Sequence, residues 1–184
     1  MFKFIIQTII VILAIIGIMA LCIYFFPDLE AAEVGEVCIP CIIVIESSGN
    51  PYAVSEDSCV GMMGISRAVL QDWNENKCSK NFSKRSTNHL GQIIFEREDV
   101  YSFEDLFNPV INIKIGTWYI NIRIPEMLKA YKIEDTTLTR IASYNWGINN
   151  VKKWYRNGAK YSQLPRETKR YYEKYLHLNK SRGR

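Results

Sequence analysis

Glu46 is the residue whose surroundings in the sequence are most informative about chemistry. It ends the apolar run Ile42-Ile43-Val44-Ile45, and the turn signal Ser48-Gly49-Asn50-Pro51 follows almost at once. An ionised carboxylate is costly to bury among apolar side chains. Glu46 is therefore paired, exposed at the edge of its segment, or kept because a raised pKa serves proton transfer.

Composition and charge limit the classes of function. The chain has 184 residues, of which 48% are hydrophobic, enough for one packed domain plus an appendage. No phosphate loop, dinucleotide fingerprint or zinc-like Cys/His pattern occurs, so we expect no cofactor and no metal. Residues 150–184 carry a net charge of +9, and residues 1–149 carry −5. The basic end is a solvated helix face or attracts an anionic polymer or lipid; we expect no nucleic acid partner.

The N-terminal segment has the composition of a membrane anchor. No charged residue occurs from Phe4 to Phe26, and Lys3 precedes this run. A helix of this length spans the hydrocarbon core of about 30 Å. A cleaved signal peptide is the alternative, although its apolar region is usually shorter. We therefore predict a single-pass anchor at 1–27 in the cytoplasmic (inner) membrane, a linker at 28–37, and a domain at 38–184 on the periplasmic or extracellular side.

Four cysteines lie outside the apolar N-terminal run and are disulfide candidates in an exported domain: Cys38, Cys41, Cys59 and Cys78. Four cysteines permit three pairings, and the sequence does not choose among them. A redox role for the Cys38-x-x-Cys41 spacing is disfavoured because no βαβ pattern surrounds it. The preferred pairing joins Cys59 to Cys78.

The pattern after the linker is mainly α-helical. Apolar spacing and turn residues predict helices at 38–48, 67–77, 110–131, 136–144, 150–156 and 166–177, with Pro125 kinking or ending the third. The segment 78–88 is predicted as a polar loop. The segment 89–107 is ambiguous, with helix favoured. No β-hairpin dipeptide lies between alternating runs.

Four short segments and a tail share an order that resembles the lysozyme-like domain of soluble lytic transglycosylases. They are Glu46-Ser47 with Ser55 nine residues after the glutamate; Gly61-Met62-Met63-Gly64-Ile65; Asn112-Ile113 with Gly116, Tyr119 and Ile120; Ala142-Ser143-Tyr144-Asn145-Trp146-Gly147; and Glu167-Thr168 with Tyr171-Tyr172. The resemblance covers about residues 38–175. It implies a lysozyme-like (goose-type) helical fold after the predicted transmembrane helix.

The resemblance also implies an activity and a set of site residues. The activity is cleavage of the MurNAc–GlcNAc bond of peptidoglycan glycan strands, with closure of a 1,6-anhydro ring on MurNAc. Glu46 is the implied acid and then base, and the hydroxyl of Tyr144 is implied to approach its carboxylate. Hydrolysis, as in a lysozyme, and a catalytically weak wall-binding or assembly module are the alternatives. A secretion or envelope-assembly machine is a further partner that suits a small anchored enzyme.

The implied substrate-binding residues are Ser55, Met63, Tyr144, Asn145 and Trp146. Ser55 lies near the carboxylate and the sugar, Met63 lines the cleft, and Asn145 supports its loop. Two positions depart from the family pattern. Gly64 replaces a glutamine that binds sugar through its amide, and Trp146 replaces an alanine. The indole of Trp146 is either a platform for a sugar face or a filler of space.

Overall fold

Seven α-helices dominate the computed structural model, which describes residues 35–78, 84–87, 93–96 and 99–182. The helices are α1 (Ile39–Ser47), α2 (Arg67–Cys78), α3 (Pro109–Trp118), α4 (Ile124–Ala130), α5 (Thr137–Trp146), α6 (Ile148–Arg156) and α7 (Arg166–Arg182). Short 3₁₀ turns lie at Glu104–Phe107 and Tyr161–Gln163. The prediction of a mainly α domain is confirmed, and each predicted helix from 38 onward has a counterpart.

Two short strands correct the prediction for the middle of the chain. β1 (Lys84–Thr87) pairs antiparallel with β2 (Ile93–Glu96), and Thr87 faces Ile93 in the register. The predicted loop at 78–88 and the favoured helix within 89–107 are wrong at these positions. Ile93, Ile94 and Phe95 have high strand propensity, but four-residue strands are too short for their periodicity to be recognised.

The predicted anchor at 1–27 lies outside the described residues, as does most of the linker. The chain divides at Gly35, and Glu36–Arg184 is one compact unit with its own core. Among the residues that the structure describes, no helix has both the length and the apolar character needed to cross a membrane.

Helix α1 has a distinct cap at each end. Cys38 is the N-cap residue, and its sulfur accepts a hydrogen bond from the Cys41 backbone N–H at 3.2 Å. Pro40 occupies the first turn, where no intrahelical donor is required. Ser48 ends the helix in the left-handed conformation, with φ of 54°. The carboxylate of Glu46 therefore belongs to the last turn, where the partial charge of the helix is negative.

The disulfide is not the one that the sequence analysis preferred. Cys38 and Cys41 are bonded across the first turn of α1, and Cys59 is a free thiol. The predicted Cys59–Cys78 pairing is therefore wrong. A pairing three residues apart is possible because the N-cap residue is extended and turns its side chain back over the first helical turn.

Helix α5 is the central element of the core. It packs against α4, α6 and α7, and α7 packs in turn against α1. A capping box of Thr136 and Thr139 starts α5, since each side chain accepts a hydrogen bond from the backbone N–H of the other. The face that α7 presents to this core carries Thr168, Tyr171 and Tyr175, at helical spacing.

A π-helical turn joins α3 to α4 where the sequence predicted a kink. The turn spans Tyr119–Arg123, and the Ile124 backbone N–H bonds to the carbonyl of Tyr119, five residues earlier. Pro125 has no backbone N–H and its ring crowds the preceding turn, so the regular α-helical ladder is interrupted just before it. The wider turn places Tyr119 on the wall of a cleft.

Candidate active site

Glu46 and Tyr171 form the central contact of the site. The Tyr171 hydroxyl donates a hydrogen bond of 2.6 Å to Glu46 Oε1, joining the last turn of α1 to α7. Tyr171 is 9% exposed, and Glu46 is half-buried. A hydroxyl on a nearly buried ring fixes the orientation of the carboxyl through this one oxygen.

Burial raises the pKa of the Glu46 carboxyl above its ordinary value. The hydrogen bond from Tyr171 acts in the opposite direction because it favours the charged form. Two charges on α7 make smaller contributions, Glu167 raising the pKa and Lys174 lowering it. The pKa of Glu46 is raised overall, as is required of a general acid that works near neutral pH.

Tyr171 is the functional residue that the sequence analysis did not assign. It was part of the Glu167-Thr168…Tyr171 tail, but the donor role was given to Tyr144. The Tyr144 hydroxyl instead donates to the backbone carbonyl of Met63 at 2.6 Å. Burial raises the pKa of Tyr144 well above its ordinary value, so this phenol keeps its proton. Tyr144 thus fixes the loop beside the acid, and the predicted contact with the Glu46 carboxylate is corrected to Tyr171.

The loop that Tyr144 holds approaches Glu46 closely at Gly64. Val60 and Ile65 exchange backbone hydrogen bonds of 3.0 and 2.9 Å, which closes the turn between them. Gly64 has a φ of +59°, and a Cβ built there would lie 2.6 Å from Glu46 Oε2. The Glu46 carboxyl therefore lies where a side chain at position 64, such as the glutamine of the family pattern, would begin.

Asn112 anchors the same loop from helix α3. Its side chain is completely buried, accepts from the Met63 backbone N–H at 2.8 Å, and donates to the carbonyls of Val60 and Leu106 at 2.9 Å. These three bonds use most of the hydrogen-bonding capacity of the Asn112 side-chain amide. The side chain of Asn112 thus sets the position of the backbone that faces the acid.

Met63 contributes its backbone rather than its side chain. The side chain is fully buried, and a Cβ added at Gly116 would lie 2.5 Å from its sulfur. The predicted role of Met63 in lining the cleft is corrected to core packing, for which Gly116 provides the room. Because Gly116 of α3 has no side chain, the Met63 thioether can fill the space beside it.

Ser55 and Cys59 form a turn at the exposed side of the loop. The Ser55 Oγ accepts from the Cys59 backbone N–H at 3.0 Å, and the Ser55 backbone N–H donates to the Cys59 carbonyl at 2.9 Å. Ser55 is exposed, so its hydroxyl is within reach of a ligand. Burial raises the pKa of the Cys59 thiol, which keeps that side chain uncharged.

A cleft of about 550 Å³ opens beside Gly64. Asn145 and Trp146 line it, together with Cys59, Tyr119 and Tyr144. A second cavity of about 300 Å³ shares Trp146 and Asn150 with the first. Trp146 therefore stands where two cavities meet, a position suited to stacking on a ring that passes from one to the other.

Asp72 is a carboxylate that lines this cleft, and both of its oxygens are engaged. Oδ2 accepts from Arg123 Nε at 2.8 Å, and Oδ1 accepts from Asn76 Nδ2 at 2.8 Å. Across residues 35–78, 84–87, 93–96 and 99–182, no group of three or more His, Cys, Asp or Glu side chains is arranged to hold a metal ion. Glu46, with its raised pKa, is a group that could transfer a proton here.

The comparisons with known proteins agree with the resemblance drawn from the motifs. A sequence model of the transglycosylase SLT domain matches residues 24–165. The membrane-bound lytic murein transglycosylase E of Buchnera aphidicola subsp. Baizongia pistaciae (strain Bp) is 34% identical over 123 residues, which cover 66% of this chain and 50% of that protein. The matched part of this chain thus spans about half the length of that relative. With the family match covering well over half of its residues, the chain belongs to the transglycosylase SLT domain family.

Proposed function

We propose that this protein is a peptidoglycan lytic transglycosylase that cleaves the β-1,4 bond between MurNAc and GlcNAc. The observation that supports this most directly is a half-buried carboxyl, Glu46, held by the Tyr171 hydroxyl at 2.6 Å beside an open cleft. The family and the name of the relative point the same way.

Glu46 performs two proton transfers in the proposed reaction. Its protonated carboxyl donates to the glycosidic oxygen as the bond to C1 of MurNAc breaks, and GlcNAc leaves as an alcohol. The resulting carboxylate then removes the proton of the MurNAc C6 hydroxyl, whose oxygen bonds to C1 and closes the 1,6-anhydro ring. The proton count balances, and no water is consumed.

The N-acetyl group of the substrate supplies the role of a second carboxylate in this proposal. The engagement of Asp72 by Arg123 and Asn76 supports this assignment, because the carboxylate that lines the cleft is already bonded. Asn145 and Trp146 are proposed to bind the glycan, Trp146 by stacking on a sugar face. Ser55, which is exposed, is proposed to contact the sugar through its hydroxyl.

The test is turnover of purified cell-wall sacculi by the full chain in detergent, compared with its Glu46→Gln variant. We expect the variant to lose about 10²- to 10⁴-fold in rate, because glutamine has no acidic proton to donate. It should still bind sacculi, since the shape of the cleft is unchanged. Equal turnover by both proteins would contradict the proposal, and no turnover by either would favour a wall-binding module.

We also propose that the segment 1–27 anchors the domain in the cytoplasmic membrane with the domain outside. The uncharged run from Phe4 to Phe26 supports this, and the relative from Buchnera aphidicola is named as a membrane-bound protein. The full chain should sediment with membranes and resist carbonate extraction, whereas a chain lacking residues 1–27 should be released. Full extraction of the intact chain by carbonate would contradict an integral anchor.

A further inference from the structure

Gly64 and Tyr171 confine the Glu46 carboxyl from two sides. Tyr171 contacts Oε1 at 2.6 Å, and a Cβ at position 64 would lie 2.6 Å from Oε2 and 3.2 Å from the carboxyl carbon. Real Cβ atoms essentially never approach another heavy atom to less than 3.0 Å. The carboxyl position seen here is therefore compatible only with glycine at 64.

The carboxyl is the partner that would give way if residue 64 carried a side chain. The backbone there is tied by the Val60–Ile65 hydrogen bonds, and the Gly64 N–H donates to the Gly61 carbonyl at 3.2 Å. The Asn112 and Tyr144 side chains hold the adjacent Met63 on both of its backbone polar groups. Glu46, by contrast, ends in freely rotating bonds, and turning Oε2 away from residue 64 turns Oε1 away from the Tyr171 hydroxyl.

We propose that Gly64 is a positioning residue, whose missing side chain seats the Glu46 carboxyl against Tyr171. The effect of Gly64 on catalysis rests on the proposed function, whereas its effect on the position of the Glu46 carboxyl does not. This gives a physical reason why glycine replaces the glutamine of the family pattern at position 64. The Glu46 carboxyl occupies the space that a side chain at this position would need. Gly64 acts through Glu46 and need not touch substrate.

Three variants distinguish displacement of the Glu46 carboxyl from backbone strain at a position with positive φ. Gly64→Ala adds the colliding Cβ. Gly64→Asn adds it with a residue that tolerates positive φ, so strain is smaller. Gly158→Ala is the matched control, because Gly158 has φ of +94° and a Cβ there would meet nothing within 4 Å. Each is combined with Tyr171→Phe, which removes the donor to Glu46.

The first readout is independent of activity: NMR titration of the ¹³C-labelled Glu46 carboxyl in the full chain in detergent. In the wild-type background, Tyr171→Phe should raise the pKa of Glu46, because the lost hydrogen bond favours the charged form. In Gly64→Ala and Gly64→Asn, Tyr171→Phe should leave that pKa unchanged, because the contact is already broken. In Gly158→Ala it should act as in the wild type. An equal rise in every background would overturn the proposal.

The second readout is kinetic. Gly64→Ala and Gly64→Asn should lower kcat by about 10²-fold, the cost of an acid displaced by about 1 Å, with little change in KM. Tyr171→Phe should add no further loss in these backgrounds but should lower kcat in Gly158→Ala, a non-additivity that marks coupled residues. Wild-type kcat in both Gly64 variants would refute the positioning role. If the wild-type chain showed no cleavage, the proposed function would fail, and the NMR titration would still decide the seating.

Discussion

The pKa of the Glu46 carboxyl determines how readily this group can donate a proton near neutral pH. Glu46 is subject to two opposing influences, burial favouring its neutral form and the Tyr171 hydroxyl favouring its charged form. Burial prevails, so a larger fraction of the carboxyl is protonated near neutral pH than in a free glutamate. The hydrogen bond limits this rise while it fixes the orientation of the group, so that the carboxyl can also act as a base once its proton is given up.

The raised pKa of Glu46 has a consequence for stability. A carboxyl with a higher pKa in the folded state than its ordinary 4.5 is destabilising once it ionises, so the cost appears as pH rises above 4.5 and is complete above the folded pKa. Glu46→Gln should therefore unfold at a higher temperature than wild type at pH 7. The difference should vanish below about pH 4, where both states are protonated.

Thermal unfolding of both proteins across this pH range is the measurement, and Glu134→Gln is the control, since its side chain is exposed and is not among the groups that shift the pKa of Glu46. A wild-type protein as stable as Glu46→Gln at pH 7 would show that burial of the carboxyl carries no cost.

The sequence singled out Glu46 as the candidate acid, which stays a prediction, but it did not identify the residue that donates a hydrogen bond to its carboxyl. Glu46 was identifiable from an apolar run, a turn signal and the spacing to Ser55. The donor required knowing which of two tyrosines, Tyr144 or Tyr171, faces the carboxyl. Tyr171 is 125 residues away from Glu46 along the chain, so only the packing of α7 on α1 brings them together.

The loop between Val60 and Ile65 is the element that presents backbone to the acid, and helix α3 holds it through Asn112. Asn112→Leu keeps the approximate volume but leaves the Met63 N–H and the Leu106 carbonyl without this partner. The Val60 carbonyl loses one of its two donors and keeps the Ile65 N–H. Each buried group left unpaired costs about 1–3 kcal/mol. We expect a loss of about 3 kcal/mol or more in the free energy of unfolding, measured by urea denaturation.

Asn108→Ala provides the matched control for Asn112→Leu. Asn108 is an exposed N-cap of the same helix, and its side chain accepts from the Val110 N–H at 2.9 Å. Its loss should cost only about 1 kcal/mol. An Asn112→Leu variant no less stable than Asn108→Ala would show that the loop does not depend on the buried amide.

The first turn of α1 carries the disulfide, and its chemistry is directly testable. Without reductant, an alkylating reagent followed by peptide mapping should label Cys59 and leave Cys38 and Cys41 unlabelled. Reduction should lower the free energy of unfolding by about 2 kcal/mol, the loop-closure contribution for so short a ring. A mapped Cys59–Cys78 linkage would contradict the structure.

Element boundaries were predicted closely for four of the helices. Helices α1, α2, α5 and α6 lie within two residues of their predicted ends at each terminus. The hairpin of β1 and β2 was missed because its strands have four residues each, and α7 extends beyond the predicted end at 177 because its last turns are polar and carry no apolar periodicity.

Charge is the property of the whole molecule that bears most on binding of the proposed substrate. Helix α7 buries Tyr171 and Tyr175 and exposes basic residues on its other faces: Arg166, Arg170, Lys174, Lys180 and Arg182. Peptidoglycan sacculi carry anionic groups, so we expect retention on them to weaken as salt is raised from 10 to about 150 mM, where screening acts over about 8 Å. Sedimentation of Glu46→Gln with sacculi measures this, and binding unaffected by salt would remove the electrostatic contribution.

The overall architecture followed from the sequence to a larger extent than the site did. A mainly α domain and its family were both predicted from helical spacing and the ordered motifs, and both are confirmed. The packing of α1, α5 and α7 around Glu46 was not predictable, because helix-to-helix contacts depend on side-chain fit between segments distant in sequence. The predicted transmembrane span lies outside the described residues and stays a prediction.

The most direct test of the account is mass spectrometry of the fragments that the full chain releases from purified sacculi. We predict muropeptides ending in 1,6-anhydroMurNAc, produced by the wild-type protein and absent with Glu46→Gln. Release of the same anhydro ends by Glu46→Gln would contradict the central role of that carboxyl, and release of reducing ends alone would show a hydrolase instead.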